Sequence, residues 1–351
     1  MRLVWLQRVA GVGLAVFLAV LQLLNLPPFL AMRDGFFDLE QRIFEAPLPV
    51  APVTIVDIDE ASLLGVGQWP WPRDRMAELI TALALDGAAV AGVSVIFSEP
   101  DRLSPENILR DAPVPRELVD ALQQLASNDA AFAESMRLVP TVLAAAVVPE
   151  EQVPSQSISR RTPVELRLGL QSSARLRQYP ALLKSLPILE AASAGVGVAS
   201  VELDPDGIIR RLPLVMLINE AIVPSFAVEI VRIFRKVSAI GVAIDGPGIS
   251  GLTIGDQNVP TDSSGSIWLR QVSPDGFKRL SAVDVLLGNH EPAELNGRIV
   301  ILGATGTGLE RSFVTTGGEL LSALDLQALF VENLLSGIFL SRSEVTVFFE
   351  I

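Results

Sequence analysis

Short β-branched apolar runs alternate along this chain with stretches whose apolar positions recur every three or four residues, the marks of strands and helices taken in turn. Val53-Thr54-Ile55-Val56-Asp57-Ile58 reads as a buried strand. Pro72 then precedes a helical stretch over residues 74–85, closed by Gly87 as a left-handed cap, and residues 88–97 form the next strand. Strand, helix and strand in this order predict a right-handed parallel crossover with the two strands side by side. Residues 117–136 have helical spacing and residues 139–148 read as a third strand. Residues 149–178 turn polar, and 152–161 lack any period, which predicts a surface loop. Residues 195–202 and 208–218 alternate about Asp204-Pro205-Asp206-Gly207, a turn sequence, and predict a hairpin. A helix over 225–236, short strands near Val242, Leu252 and Ile267, a helix over 281–287, a strand over 298–302 and a last helix over about 318–335 complete the order. The expected fold class is α/β, with a mixed, mainly parallel sheet flanked by helices and a β-rich hairpin excursion.

The two ends carry a different pattern. Residues 9–32 have no formal charge and are long enough to cross a bilayer. Arg2 and Arg8 keep residues 1–8 cytoplasmic by the positive-inside rule, so everything from Arg33 onward is expected outside the cytoplasm. A cleaved signal peptide is the competing reading, but no small-x-small cleavage site follows at the right distance. Residues 33–46 place Phe36, Phe37, Leu39, Ile43 and Phe44 at helical spacing and predict a juxtamembrane amphipathic helix, ended by the proline run from Pro47 to Pro52. Residues 47–340 then form the folded domain, and residues 341–351 read as the start of a further membrane segment. Both ends are expected on one side of the domain, with Leu324, Leu329, Val331 and Leu335 of the last helix covering the juxtamembrane apolar face.

Composition narrows the chemistry. Half of the 351 residues are hydrophobic and the mean hydropathy is +0.44, values suited to a globular domain that carries membrane-embedded sequence. The net charge of −13 argues against nucleic acid, which is bound through clustered Lys and Arg. With no cysteine, disulfides, thiolate catalysis and zinc-thiolate sites are excluded. The single histidine, His290, sits in a turn with no nucleophile beside it and reads as a surface residue. There is no Walker loop, kinase signature or Gly-x-Ser-x-Gly elbow, so the chain is not read as an enzyme and no cofactor is expected.

Candidate sites gather at strand ends, the edge where open α/β sheets place ligands. Asp57 and Asp59 lie two apart and share one face, where they and Glu60 could bind a ligand or cation through oxygens; helix capping is the structural alternative. A phosphatase Asp-x-Asp-x-Thr would require Thr where Ala61 stands. Trp69-Pro70-Trp71-Pro72-Arg73 could form a rigid aromatic wall with Arg73 gripping an anion, or simply seal the fold. Ser98, Glu99, Pro100 and Asp101 follow the next strand, so Asp59, Arg73, Glu99 and Asp101 are expected to converge in a pocket, the alternative being a solvated acidic loop. Gly303-Ala304-Thr305-Gly306-Thr307-Gly308 follows a strand as phosphate cradles do but lacks their Lys, with Glu310 and Arg311 beyond it.

The succession Val53-Thr54-Ile55-Val56-Asp57-Ile58-Asp59-Glu60, Gln68-Trp69-Pro70-Trp71-Pro72-Arg73 and Val93-Ser94-Val95-Ile96-Phe97-Ser98-Glu99-Pro100-Asp101 resembles the opening of CHASE2 domains. Asp204-Pro205-Asp206-Gly207-Ile208-Ile209-Arg210 is similar to that family's Asp-x-Asp-Gly-x-x-Arg hairpin, and Ser281 to Leu286 and Gly297 to Thr305 to its late helix and final strand. The resemblance covers residues 36–340 in the family's order. Ser94 stands where relatives usually have Asp, and Leu324-Asp325-Leu326-Gln327-Ala328 where they have Gly-x-Glu-x-His-Ala. The resemblance implies the extracytoplasmic sensor of a bacterial signal-transduction receptor in the inner membrane, of the cyclase or two-component kinase kind, whose output domain, closest in wording to an adenylate or guanylate cyclase, lies outside this chain. Expected partners are a small-molecule or protein ligand, the membrane and a second copy in a homodimer. A non-catalytic membrane scaffold or protein-interaction domain, and a secreted α/β hydrolase, are the rival readings.

Overall fold

The computed structural model describes residues 27–44, 47–111, 113–149, 162–169, 178–218, 221–245, 248–309 and 311–340. Residues 9–26 of the expected membrane anchor and residues 341–351 lie outside these, as do Arg160, Arg161 and Glu310. Helix α1 (Pro27–Ile43) runs without interruption across the boundary expected at residues 32 and 33. Two prolines open it, where missing N–H donors cost nothing. Among the described residues no helix is long and apolar enough to cross a membrane.

The central sheet is built from β1 (Val53–Ile58), β2 (Val90–Val93), β3 (Thr141–Val148), β4 (Ala181–Leu183), β5 (Gly195–Val198), β6 (Lys278–Ser281) and β7 (Ile299–Ala304). Its order is β6-β1-β7-β2-β3, with β4 and β5 both pairing with β3. Only the β3–β4 pairing is antiparallel. The first two strands are therefore parallel but not adjacent: β7, from the far end of the chain, lies between them. Helices cover both faces. Alternate residues Val53, Ile55, Val90, Val142, Ile299 and Ile301 pack on α5 (Phe226–Phe234) and α7 (Ala323–Ser336). Their neighbours Val56, Ile58, Ala91, Val93, Val300 and Leu302 pack on α3 (Arg73–Leu85), α4 (Asn128–Ser135) and α6 (Ala282–Leu287). A short helix α2 (Glu60–Val66) follows β1 directly.

Several expectations are corrected. The strand expected over 88–97 ends at Val93, and its continuation leaves the ladder to place Phe97 in the core. The helix expected over 117–136 is two, Arg116–Gln123 and α4, separated where Ser127 supplies an N-cap position. Within the expected loop, Val164–Leu168 is an edge strand parallel to Ile240–Asp245 in a four-stranded sheet with Gly248–Ile254 and Gln257–Pro260. The alternation Val-Glu-Leu-Arg-Leu suits that role. The expected hairpin is not a ladder: β5 joins the central sheet, while Ile208–Ile209 runs parallel to Ser312–Thr315. Only its turn survives, closed by Gly207 N–H donating to Asp204 O at 2.8 Å with Gly207 at φ +83°.

Candidate functional site

The residues nominated from sequence fall into two clusters. At the end of β1, the buried Asp57 carboxylate accepts from Thr305 Oγ1 at 2.7 Å and from Arg279 Nη1 at 2.5 Å, and Arg279 also pairs with Asp325. Burial raises the Asp57 pKa, and Thr305 and Arg279 offset this only in part. Asp59 caps α2 through Ser62 N–H at 2.9 Å and accepts from Ser281 Oγ at 2.7 Å. Burial would raise its pKa, but these bonds outweigh it and leave it lowered. Glu60 is exposed and accepts from Thr307 N–H at 2.7 Å. Threonines of the Gly303–Gly308 stretch thus serve as donors to carboxylates.

The second cluster centres on Arg73, which is buried rather than exposed. Its guanidinium lies 4.3 Å over the Phe97 ring, donates to Glu99 O at 3.3 Å and stands 3.6 Å from Asp129. Burial lowers the Arg73 pKa against the pull of Asp129 and Asp101. Asp101 Oδ2 accepts from Arg73 N–H and Asn128 Nδ2, both at 2.8 Å. Trp71 is buried and donates to Gly67 O at 2.9 Å, with Trp69 half-buried and 6.1 Å away. Arg73, Glu99 and Asp101 therefore come together, while Asp57 and Asp59 belong to the other cluster. His290 is not on the surface: its Nε2 lies 2.9 Å from Asp86 Oδ2 with the ring enclosed. A recess of about 440 Å³ opens elsewhere, between Thr162, Ala194, Arg232 and Lys236. There the Arg232 guanidinium is taken by Glu229, at 2.8 and 2.6 Å, and by Val237 O.

A third constellation ties the domain to the helix that leads toward the expected membrane segment. The turn at Asp204–Gly207 brings Asp204 and Asp206 back onto Arg210, whose side chain is only 2% exposed. Arg210 donates to Asp204 at 2.9 Å and to Asp206 at 2.9 and 2.6 Å. It also holds Asp38 of α1 with two parallel bonds, Nε to Oδ1 at 2.9 Å and Nη2 to Oδ2 at 2.7 Å. Burial opposes the Arg210 charge, but the bonds to Asp38, Asp206 and Asp204 outweigh it and raise its pKa. The Asp206 pKa is lowered by Arg210. Beside this clamp, Phe37 packs on Trp268 at 4.8 Å and Arg211 covers the same indole at 4.7 Å. Gln41 Oε1 accepts from Gln271 N–H at 3.0 Å, and Arg42 Nε donates to Thr316 O at 3.3 Å.

The far end of the chain returns to this place. Trp268 forms a backbone bridge with Leu340. Asn333 of α7 exchanges bonds with the Arg270 backbone at 2.8 and 3.0 Å. The buried Glu332 carboxylate accepts from Val50 N–H at 3.0 Å and Ala51 N–H at 2.7 Å. Both ends of the folded domain thus emerge on one side, around Trp268. The expected covering of α1 by α7 is corrected: Leu324, Leu329 and Val331 are buried in the domain core, while Phe36, Leu39, Ile43 and Phe44 are exposed. Neither Asp38 nor Glu332 was nominated from sequence. For Glu332 the signal was present as a lone carboxylate in the apolar middle of its helix, an arrangement tolerated only with a partner; Asp38, with Asp34 and Glu40 in the same helix, carried no such signal.

In the comparison with known families, the CHASE2 domain matches residues 13–350. No curated protein matches the chain, and no solved structure does. The chain belongs to the CHASE2 family, the extracellular sensory domains of signalling proteins.

Proposed function

We propose that this sensor relays its stimulus through the junction of α1, the Arg210 clamp and the Trp268–Gln271 segment to a cytoplasmic output domain, a nucleotide cyclase. The observation that carries the reading is the shared contact at Trp268, which touches Phe37 near one end of the domain and Leu340 near the other. A shift of this segment moves both chain ends together, which a relay requires. Ligand contact at the sheet edge is part of the proposal. Glu99 is exposed and Asp59 and Trp69 half-buried, while Asp57, Trp71, Arg73 and Asp101 act from behind them.

The scaffold reading differs in one measurable respect. In the full-length protein in native membranes, Asp38→Asn frees one side of the clamp without touching the sheet. A relay changes basal output or its response to stimulus. A folded variant with unchanged output and unchanged response would reject the relay in favour of the scaffold.

A further inference from the structure

The face of α1 that turns away from the domain is built for another helix. Phe37, Asp38, Gln41 and Arg42 dock on the domain. With about 100° per residue, Phe36, Leu39 and Ile43 lie on nearly the opposite side, and they are 67%, 50% and 67% exposed. Their spacing is three and then four, the alternation of a two-helix seam rather than of a broad buried face. The sequence continues the same spacing upstream at Phe29 and Met32.

Gly35 adds an independent observation. It sits inside the helix, where Gly costs about 1 kcal/mol relative to Ala, and a Cβ at this position would meet nothing within 4 Å. Among the described residues no contact requires its small size, which would suit the close approach of a second backbone. The charges around the stripe argue against a helix lying flat on lipid, which favours Lys and Arg on its polar face: Asp34, Asp38 and Glu40 outnumber Arg33 and Arg42.

We infer that Phe36, Leu39 and Ile43, with Gly35 at their flank, form the packing seam between α1 helices of two copies of this chain, arranged in parallel about a two-fold axis. The inference stands on the helix geometry and is independent of the relay. A parallel pair keeps both Arg210 clamps on the outer sides and lines up the two preceding apolar segments.

The 351 residues contain no cysteine, so once any cysteine of the output domain is replaced, single-cysteine variants of the full-length protein in native membranes report the seam directly. Oxidation with copper phenanthroline joins two thiols into a disulfide. Phe36→Cys, Leu39→Cys and Ile43→Cys should give covalent dimer, and Gln41→Cys should give about tenfold less, the contrast between seam and outer positions. Adding Gly35→Leu to Leu39→Cys should cut its dimer several-fold, and Gly35→Ala should cut it by less. Equal crosslinking at all four positions, or none at any, would overturn the seam. So would a nitroxide at position 39 that is as accessible to a lipid-soluble quencher as the surrounding bilayer, which would place the stripe in lipid.

Discussion

Arg210 grips Asp38 across 172 positions of sequence, through parallel bonds of 2.9 and 2.7 Å. A single planar guanidinium joins the domain's own turn to the helix that precedes it. Replacing it with Ala leaves Asp38 buried and unpaired, which costs about 3–5 kcal/mol. Arg210→Lys keeps the charge but loses the fork, and should recover only part of that stability. Denaturant titration of the two variants checks this ordering; equal stability of wild type and Arg210→Ala would contradict it.

The clamp should weaken in acid. Asp206 has its pKa lowered below the ordinary 3.8 by the folded state. Its contribution is therefore present above about pH 3.8 and lost as pH falls through the folded value. Asp57, raised by burial, works in the opposite sense, adding stability that is lost as pH rises through its folded value. In Asp206→Asn the loss of stability on acidification should become shallower, and melting curves between about pH 2 and 5 would show it.

Arg73, which the sequence offered as the grip for an anion, is buried against Phe97 and Asp129. Arg73→Ala should cost about 3 kcal/mol by stranding Asp129, and the double variant with Asp129→Asn should be less damaged than the sum of the singles. Additive losses in that cycle would show that the pair is not coupled.

Topology gives a separate check. An alkaline phosphatase fusion after Gly265, which lies in a turn closed by Gly265 N–H donating to Asp262 O at 3.0 Å, should be active if the domain is periplasmic. An inactive fusion there with an active one at the N-terminus would place the domain on the other side.

What could be read in the sequence was local. The runs at Val53 and Ile299 are so rich in β-branched residues that each is a buried strand in isolation. Their adjacency was not legible, because nothing near Ile58 indicates that the next neighbour arrives more than 200 positions later. The edge strand β6 reads Lys-Arg-Leu-Ser, and its register comes from pairing with β1 rather than from its own pattern. The Asp204–Arg210 turn was visible as a turn, but its meaning lay in Asp38. Arg73, Glu99 and Asp101 lie together as grouped, whereas Asp59, grouped with them, belongs to the other cluster; the bonds of Arg73 to Glu99 and Asp101 follow from packing that composition does not encode.

The contact between Glu332 and residues 50–51 is made to backbone N–H groups alone. Any side chain at those two positions preserves the donors, and proline removes them. Natural drift can therefore rewrite the wording of the segment after α1 while leaving its tether intact, whereas Glu332 itself, enclosed and accepting two bonds, has no such freedom. Family resemblance will be faint on one side of this tether and strict on the other, although the two sides form a single attachment.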